Sequence, residues 1–329
     1  MNVAIIGCGL IGKKRAQHLQ GCQLVACTDL SQDKASALAN LYPSCDVISD
    51  WRSIISNQTI QTIIIATPHH ALAEIGLAAI HANKHVLVEK PAARSARELD
   101  PLLQALSSSR SIVRVGFNHR YHRALMKAQN LIQENALGEL MFIRARYGHG
   151  GRLGYDKEWR ANPELSGGGE LIDQGVHLID LARSFLGDFS EIQGHAATYY
   201  WDMPVDDNAF LLLKNSKNQT AFLQASCTEW KNLFSFEIYG KKGKIDIQGL
   251  GGSYGTERIT YYKMLAEMGP PETYSWEYPM QDNSWEVEFT EFLEDIRLER
   301  TPSASLHDAY AALNIVGKIY KDSNYDCCS

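Results

Sequence analysis

Residues 167–180 read GGGELIDQGVHLID, and Asp173, His177 and Asp180 stand among apolar neighbours in this stretch. The spacing i, i+4 and i+7 places these three polar side chains on one face of a helix. Burying such groups without partners costs several kcal/mol, so we expect them to pair with each other, with Lys90 or with a ligand. A neutral imidazole can take the proton of an alcohol, and a carboxylate one turn away can orient it. The pattern therefore predicts acid–base chemistry.

The same residues have two other interpretations. In the first, His177 is an ordinary core histidine whose ring is hydrogen-bonded to Asp180. In the second, Asp173 and His177 are ligands of a metal ion. A protein metal site takes three or more side-chain ligands, and no third ligand can be placed from the sequence. We therefore expect no metal, and the first interpretation stays open.

A lysine at the end of a predicted strand is a second candidate for proton chemistry. Residues 85–91 read HVLVEKP, an apolar strand that ends at Lys90 and a proline. Ligands of open parallel sheets bind outside the carboxyl ends of the strands. A lysine there can hydrogen-bond a hydroxyl or help to move a proton, although most single lysines are solvated surface residues. We predict that Lys90, Asp173 and His177 form the catalytic set.

A glycine-rich turn near the N-terminus predicts a dinucleotide site. Gly7, Gly9 and Gly12 form the pattern G-x-G-x-x-G between the strand NVAII and a helix. Gly7 permits the tight turn, Gly9 lets a pyrophosphate approach the backbone, and Gly12 lets helix and strand pack closely. Asp29 ends the second strand, where a carboxylate binds the adenosine ribose and repels a 2′-phosphate. We expect NAD rather than NADP; a packing turn without a ligand is the alternative.

The bulk composition excludes several classes of protein. The chain has 329 residues, of which 45% are hydrophobic and 21% charged, as in a folded protein of about two domains. The formal net charge is -6 and the pI is about 6.0, whereas nucleic-acid-binding domains are usually basic. No apolar run approaches the ~20 residues that cross a bilayer. We therefore expect neither a nucleic-acid partner nor a membrane association.

The cysteines and the first residues indicate a compartment. The chain has seven cysteines, an odd number with irregular spacing. Free thiols in a reducing cytoplasm fit this pattern better than a disulfide framework. The first apolar run is short and no basic residue precedes it, so we expect no signal peptide. We predict a cytoplasmic protein with free thiols at Cys8, Cys22, Cys27, Cys45, Cys227, Cys327 and Cys328.

The elements that position these residues fall into two groups. Up to about residue 120, short apolar strands alternate with helices, which is typical of a parallel doubly wound sheet. The predicted strands are 2–6, 23–29, 62–66, 85–91 and 111–118. After a helix at 122–135, longer strands joined by short polar turns predict one largely antiparallel sheet, with a helix at 170–186 over one face. Those strands are 139–148, 190–201, 208–214, 218–227, 233–239 and 243–248.

We therefore predict an α/β protein of two domains. Residues 1–120 form an NAD-binding Rossmann domain with a doubly wound parallel sheet. Residues 121–329 form an α/β domain with a large, mostly antiparallel open sheet. The amphipathic stretch at about 305–322 is a C-terminal helix that packs back on the first domain.

Together these motifs resemble the glucose-fructose oxidoreductase, inositol dehydrogenase and MocA (Gfo/Idh/MocA) family over nearly the whole chain. They are GCGLIG at 7–12, Asp29, ATP at 66–68, HVLVEKP at 85–91, GFNHRY at 116–121, WRA at 159–161, GGGELIDQGVHLID at 167–180 and LHDAYAAL near the C-terminus. The resemblance implies a Rossmann domain followed by an α/β domain whose open sheet forms dimers or tetramers. It departs at Leu72, where many members carry a histidine, and this leaves the roles of His69 and His70 open.

The resemblance also assigns roles to residues. The family's catalytic lysine, aspartate and histidine fall on Lys90, Asp173 and His177. The positions expected to bind the cofactor are Gly7, Gly9, Leu10, Ile11, Gly12, Asp29, Thr67, Pro68, His69, Glu89, Lys90 and Asn118. The positions expected to bind the substrate are Arg120, Tyr121, Arg152, Trp159, Arg160, Asp173, His177 and Trp230.

The reaction implied is the oxidation of a secondary alcohol of a sugar or sugar derivative, with hydride transfer to nicotinamide. A group of arginines favours an anionic substrate such as a nucleotide sugar, because guanidinium groups bind phosphates and carboxylates. Salt bridges to the chain's own acids are the alternative interpretation. The arginines are Arg114, Arg120, Arg123, Arg144, Arg146, Arg152 and Arg160.

Three other functions stay open. The protein could be an inositol or free-aldose dehydrogenase, or it could hold NAD tightly for a redox-neutral isomerisation or transfer. It could also be a non-catalytic NAD-sensing protein, but the intact set of Lys90, Asp173 and His177 argues against that. For all of them we expect a small sugar-type ligand and a homodimer or homotetramer.

Overall fold

The computed structural model describes residues 1–325, so the predictions for Cys327 and Cys328 lie outside the described residues. The strands are β1 Asn2–Ile6, β2 Gln23–Thr28, β3 Asp46–Val47, β4 Thr62–Ile65, β5 His85–Glu89, β6 Val113–Gly116, β7 Leu140–Gly148, β8 Phe189–Ala197, β9 Asn208–Asn215, β10 Thr220–Ser226, β11 Leu233–Gly240, β12 Gly243–Gln248, β13 Glu257–Lys263 and β14 Glu272–Tyr278. The helices are α1 Leu10–Ala16, α2 Gln32–Ala39, α3 Trp51–Ser56, α4 His69–His81, α5 Asp100–Leu106, α6 Arg123–Gln133, α7 Pro163–Ser166, α8 Val176–Leu186, α9 Ser284–Leu298 and α10 Leu306–Asp322.

The chain divides into two compact units, and the first contains the predicted parallel sheet. Its six strands follow the order β3-β2-β1-β4-β5-β6, and all of their pairings are parallel. Every side chain of β4 is buried, which explains why this strand reads as a continuous apolar run without alternation. The strand order reverses between β1 and β4. Such a switch point leaves a crevice for a ligand at the carboxyl ends of the strands.

Helix α9 belongs to the first unit although it follows the second sheet in the sequence. Phe289 and Phe292 of α9 are buried in the same apolar core as Val3 and Ile5 of β1. The sequence SWEVEFTEFLEDIRL places its large apolar residues among acids, and the sequence analysis did not identify this helix. The core of the first unit is therefore completed by a segment from far along the chain.

The unit boundaries consequently differ from the predicted division at residue 120. The first unit comprises residues 1–117 and 285–311, and the second comprises residues 118–284 and, within the described residues, 312–325. Helix α10 begins in the first unit and ends in the second. A change in the strand pattern shows where the parallel sheet gives way to the antiparallel one. It cannot show that a later segment of the chain returns to the first unit.

The second unit is built on an eight-stranded sheet in the order β14-β13-β12-β11-β7-β10-β9-β8. All of its pairings are antiparallel except that of β7 with β10, which is parallel. This confirms the predicted fold class. Two strands at one edge, β13 and β14, were not predicted, and the strand expected at 190–201 ends at Ala197.

The two faces of this sheet differ. On one face, side chains such as Leu211, Leu223 and Ile143 are buried, and helix α8 packs against β7 and β10. On the other face, Leu212 and Phe222 lie side by side and are 47% and 45% exposed. The alternation therefore follows the period of two expected for a sheet covered on one side.

Two further observations concern the described part of the chain. Within residues 1–325, no helix combines the length and the apolar character needed to span a membrane. The cysteines in this range are all free, and Cys8 and Cys27 are buried in the core of the first unit.

Candidate active site

The glycine-rich turn joins β1 to α1 at the switch point of the parallel sheet. Gly7 has a φ of +98°, which residues with a side chain rarely adopt, and its N–H donates to the carbonyl of Thr28 at 2.9 Å. A Cβ at Gly7 would overlap the main chain of Ala66, and a Cβ at Gly12 would overlap the carbonyl of Gly7. A Cβ at Gly9 would instead meet no described atom within 4 Å. The open space beside Gly9 suits the close approach of a pyrophosphate.

The backbone fixes both carboxylate oxygens of Asp29 at the end of β2. The N–H of Cys8 donates to Oδ2 and the N–H of Ser31 donates to Oδ1, each at 2.8 Å. The side chain is half-buried, and each oxygen can accept a further hydrogen bond. A fixed negative charge with spare acceptors suits the ribose hydroxyls of NAD and repels a 2′-phosphate.

Thr67, which follows β4, tests whether the site fits a dinucleotide. Its Oγ1 is buried and has no hydrogen-bond partner among residues 1–325. An unsatisfied buried hydroxyl costs about 1–3 kcal/mol, which a bound hydrogen-bonding group recovers. Pro68 caps the start of α4, and His69 is buried in its first turn. The open space at Gly9, the fixed acid of Asp29 and the hydroxyl of Thr67 therefore fit NAD.

Strand β5 ends at Glu89, and Lys90 follows it, beside a buried charge network. Arg15 of α1 donates from Nε to Glu89 Oε1 at 2.6 Å, and it also forms an ion pair with Glu288 of α9. Its guanidinium lies 4.3 Å from the ring centroid of Trp285. Burial raises the pKa of Glu288, an effect that Arg15 opposes. The network fixes the strand end from which the half-buried Lys90 projects.

In the second unit, the glycines before α8 allow close packing against two distant segments. Gly168 has a φ of +151°, and a Cβ there would overlap the ring of Tyr320 on α10. A Cβ at Gly169 would overlap the main chain of Asp206. The second and third glycines of the GGG run are therefore required by packing.

The Asp206 carboxylate holds the first turn of this helical segment. It accepts hydrogen bonds from the N–H groups of Gly169 at 2.9 Å and Leu171 at 2.7 Å. The hydroxyl of Tyr320 donates to it at 2.7 Å. Burial raises the pKa of Asp206 to about 6, although these hydrogen bonds oppose the shift. Asp206 and Tyr320 thus fix the segment that carries the predicted catalytic residues.

Asp173 lies in a π-helical turn, Leu171–Gly175, rather than in the regular α-helix that was predicted over 170–186. Such turns are rare and recur at functional sites. The carboxylate of Asp173 is 6% exposed and accepts a hydrogen bond from Arg160 Nε at 2.9 Å. The neighbouring carboxylate raises the pKa of Arg160, which therefore stays charged. The expected partners of Asp173 did not include this arginine.

His177 lies in the first turn of α8 and is 4% exposed. Its ring stacks on the ring of His119 with a centroid distance of 3.7 Å and an interplanar angle of 15°. His119 Nδ1 is 3.2 Å from Asn118 Oδ1, and Asn118 Nδ2 donates to the hydroxyl of Ser284 at 3.0 Å. Tyr147 of β7 meets both imidazoles edge-on. The plane of the His177 ring is therefore set by aromatic neighbours as well as by the helix.

The third polar residue of the helix, Asp180, forms a bidentate ion pair with Arg120. Arg120 Nε and Nη2 approach the two carboxylate oxygens at 2.7 and 2.5 Å. The family motifs predict that Arg120 contacts the ligand, and one interpretation of the helix pairs Asp180 with His177. The fork of hydrogen bonds indicates that Asp180 mainly positions Arg120.

Three arginines of the predicted group are paired with carboxylates away from Asp173 and His177 in the sequence. Arg114 is fully buried and pairs with Asp295 in the first unit, so it cannot contact a substrate. Arg144 and Arg146 lie on the second unit's sheet and pair with Glu237 and Glu229. Salt bridges therefore account for these three side chains, as the alternative interpretation predicts.

Tyr155 connects the Asp173 region to a series of aromatic residues. It is 5% exposed and its hydroxyl lies 3.4 Å from Glu170 Oε2. Burial raises its pKa far above the usual range, and the carboxylates of Glu170 and Asp173 add to the shift. His149 meets the Tyr155 ring edge-on at 5.4 Å, and burial lowers the pKa of His149. This wall of the second unit thus offers neutral aromatic groups.

The remaining predicted residues are distributed as follows. Asn118 and Tyr121 are buried in a 3₁₀ turn of the second unit, so Asn118 is not in the Rossmann unit. Arg152 is exposed and pairs with Glu158. The guanidinium of Arg160 stacks 4.7 Å from the ring of Trp159. Leu10 and Trp230 are exposed, Ile11 is half-buried, and no group of three or more potential metal ligands occurs within residues 1–325.

Sequence reasoning missed four residues that shape the site. His119 stands within the GFNHRY motif, and its histidine type was a usable signal. Arg15, Asp206 and Tyr320 are distant in sequence from the groups they hold, so no local pattern reports them. These residues position others, and their effect depends on tertiary packing.

Comparison with known proteins supports the resemblance inferred from the motifs. A model described as "Oxidoreductase family, NAD-binding Rossmann fold" matches residues 1–117, and one for the "GFO/IDH/MocA C-terminal domain" matches residues 125–246. A levoglucosan dehydrogenase from Pseudarthrobacter phenanthrenivorans is 28% identical over 285 residues, which cover 74% of this chain and 73% of that protein. An inositol 2-dehydrogenase/D-chiro-inositol 3-dehydrogenase from Halalkalibacterium halodurans is 24% identical, covering 98% of this chain and 91% of its own.

A solved structure shares the same fold. Levoglucosan dehydrogenase in complex with NADH superposes with a TM-score of 0.87 at 24% identity, covering 98% of this chain and 97% of that chain. The family match confirms the NAD prediction, and the structural match confirms the two-part architecture.

Proposed function

Because the chain belongs to the Gfo/Idh/MocA oxidoreductase family and binds NAD through its Rossmann unit, we propose that it oxidises a secondary alcohol of a neutral sugar or polyol. The observation that carries this proposal is the buried imidazole of His177, four residues after the carboxylate of Asp173 on one helical segment. Acid–base chemistry on an alcohol needs such a pair in a partly dehydrated place.

The first unit supplies the cofactor site. NAD, when bound, accepts the hydride that leaves the alcohol carbon. The Gly7–Gly12 turn receives the pyrophosphate, Asp29 accepts from the adenosine ribose, and Thr67 Oγ1 supplies a further polar contact. The supporting facts are the space at Gly9 and the backbone-held carboxylate of Asp29.

The proton is the second half of the reaction. We assign its removal from the substrate hydroxyl to a ring nitrogen of His177, and Lys90 stays a predicted member of the catalytic set. Asp173 accepts a hydrogen bond from a neighbouring substrate hydroxyl while Arg160 holds its carboxylate. Arg160 therefore fixes the carboxylate of Asp173 for this role.

The substrate class follows from charge. Arg120, Arg144 and Arg160 already pair with carboxylates, so little free positive charge is left for a phosphate. Two of the relatives are named for levoglucosan and for inositols, which carry hydroxyl groups and no charge. We therefore favour a neutral sugar, anhydrosugar or inositol over a nucleotide sugar. As a member of this family, the protein is also proposed to form a homodimer or homotetramer.

A screen for NADH formation tests the proposal. Purified protein is incubated with NAD and single compounds from five classes: free sugars, anhydrosugars, inositols, sugar acids and nucleotide sugars. Activity confined to the neutral classes supports it, whereas activity only on nucleotide sugars contradicts it. NADH absorbance in the protein as purified would favour the tightly bound cofactor, and NAD binding without any NADH formation would favour the sensing role.

His177→Ala provides the mechanistic test. Removing an acid–base group lowers kcat by about 10²–10⁴-fold, while the Kd for NADH should stay the same. His195→Ala, which alters an exposed histidine on β8, is the matched control and should leave kcat unchanged. Retention of wild-type turnover by His177→Ala would remove the assigned role.

A further inference from the structure

Four aromatic side chains form a continuous row in the second unit, from the Asp173 region to the surface. Tyr155 and Trp201 have a ring-centroid distance of 5.7 Å, and Trp201 and Tyr200 of 5.1 Å. Tyr200 and Trp230 meet edge-on at 4.7 Å. We call these residues, Tyr155, Trp201, Tyr200 and Trp230, the aromatic row.

The two ends of the aromatic row differ in exposure. Tyr155 is 5% exposed, and its hydroxyl lies 3.4 Å from Oε2 of Glu170, which stands three residues before Asp173. Tyr200 and Trp230 are 62% and 63% exposed. The row therefore starts beside a predicted substrate-binding carboxylate and ends as a pair of large rings facing solvent.

The exposed rings stand on a fixed backbone. The buried carboxylate of Asp207 accepts the N–H groups of Tyr199, Tyr200 and Trp201 at 2.9, 2.7 and 3.1 Å. Trp201 Nε1 donates to the carbonyl of Cys227 at 3.0 Å. These contacts hold the turn from which Tyr200 projects, so its ring is presented from a defined position.

Trp230 is held from the other side. It has a φ of 57°, and the N–H of the preceding Glu229 donates to the carbonyl of His149 at 3.0 Å. A Cβ at Gly150 would lie 3.0 Å from the Cα of Trp230, and a Cβ at Gly151 would overlap the ring of Trp201. These glycines explain part of the glycine-rich HGGRLG segment, because it packs against the aromatic row.

Large aromatic rings on a surface mark ligand-binding positions more often than scattered apolar residues do. The C–H bonds on one face of a pyranose form an apolar surface that fits an aromatic ring, while its hydroxyls stay in water. Neutral rings also suit a neutral ligand. The aromatic row is continuous with the Asp173 region. A ligand that stacks on the row is therefore best explained as a part of the substrate.

We propose that Tyr200 and Trp230 form a second sugar subsite, and that the substrate class is therefore a neutral glycoside or disaccharide. One ring of the substrate is oxidised next to Asp173 and His177, and the adjoining ring stacks on the exposed end of the aromatic row. This inference rests on the proposed function but adds the size of the substrate, which neither the fold nor the catalytic groups define.

The test compares paired substrates that share a ring: glucose with methyl glucoside, maltose and cellobiose. The measured quantity is the ratio of kcat/KM for disaccharide to kcat/KM for monosaccharide. Trp230→Ala and Tyr200→Ala should each lower this ratio about two- to tenfold, mainly through KM, since one aromatic contact is worth about 0.5–1.5 kcal/mol. Tyr199→Ala is the matched control, because Tyr199 is exposed on the same turn but outside the row, and its ratio should stay at the wild-type value.

A binding measurement separates this inference from the proposed function. A calorimetric titration of NADH-loaded protein with maltose or cellobiose measures the Kd of the disaccharide and needs no turnover. Disaccharide binding that is lost in Trp230→Ala supports the subsite even if no NADH forms from any sugar. Turnover of monosaccharides with no disaccharide advantage would overturn the subsite and leave the proposed function standing. A change in molar mass of Trp230→Ala by light scattering would also overturn it, because the rings would then belong to a contact between copies.

Discussion

At the scale of single residues, the chemistry of this protein depends on charges that the backbone or another side chain already holds. Asp29 is fixed by two N–H groups, Asp173 by Arg160, and Asp206 by two N–H groups and a tyrosine hydroxyl. A preorganised carboxylate loses little entropy when a ligand binds, so each such residue contributes more than a mobile surface acid would.

Asp29 gives a prediction about cofactor choice. Asp29→Asn removes the charge that binds the ribose, so the Kd for NADH should rise about 10-fold or more, as charged hydrogen bonds are worth about 1.5–3 kcal/mol. The Kd for NADPH should rise less or fall, because repulsion of its 2′-phosphate is relieved. Fluorescence titration with both nucleotides measures this. Asp33→Asn, an exposed acid on α2, is the control, and an equal change in both variants would contradict the prediction.

Asp206 gives a prediction about pH. Its folded pKa of about 6 lies above the usual value of 3.8, so its stabilising contribution is full below pH about 4 and is lost as the pH rises through about 6. In Asp206→Asn this dependence disappears. The wild-type advantage in the free energy of unfolding should therefore shrink by about 3 kcal/mol between those limits. Urea titrations of both proteins at several pH values test it, and a constant difference would be evidence against the raised pKa.

At the scale of elements, the catalytic segment is held by what packs on its N-terminal glycines. The π-helical turn and α8 begin where Gly168 and Gly169 touch Tyr320 and Asp206. A helix placed by such contacts has little freedom to shift along its axis. The position of His177 therefore depends on α10, although α10 contributes no reacting group.

Gly169→Ala tests this dependence. The added methyl overlaps the main chain of Asp206, so we expect a loss of about 1–3 kcal/mol in the free energy of unfolding and a lower kcat. Gly317→Ala is the matched control, because it lies within α10 and its Cβ would meet no described atom within 4 Å. That variant should gain about 0.5–1 kcal/mol. Thermal unfolding measures the stability of both variants, and NADH formation measures their kcat. Equal behaviour of the two variants would contradict the idea that packing at Gly169 positions the catalytic segment.

The elements also show how far sequence reasoning reaches. The parallel sheet, the glycine turn and the strands β7 to β12 have local signals, namely apolar runs, G-x-G-x-x-G and alternation, and they were predicted. The π-helical turn was not, because its sequence is compatible with a regular helix. The sequence also did not identify Asp173 as the partner of Arg160 or Asp180 as the partner of Arg120. Patterns report periodicity, whereas ion pairs between segments depend on tertiary placement.

At the scale of the whole molecule, one face of the eight-stranded sheet in the second unit is not covered by helix α8. Phe142, Leu212 and Phe222 are 38%, 47% and 45% exposed on strands β7, β9 and β10. Burying such a patch would release water from apolar surface, which is the driving force of most stable association. The face is therefore where the proposed homo-oligomer would form.

Phe222→Arg tests the assembly. A charge in the centre of this face should shift the molar mass measured by light scattering from an oligomer to a monomer, because an unpaired buried charge is costly. Leu41→Arg, which alters an exposed leucine of the first unit, should leave the mass unchanged. A wild-type protein that is already a monomer at micromolar concentration would exclude the oligomer.

The return of residues 285–311 to the first unit affects how the protein is made on the ribosome. Residues 1–117 emerge early, but Phe289, Phe292 and Glu288 are synthesised roughly 170 residues later. At about 5–20 residues per second, this delay is on the order of ten seconds. Throughout that interval the nascent chain exposes an apolar surface and the guanidinium of Arg15 without Glu288, so the nucleotide-binding half is finished only when translation is nearly complete.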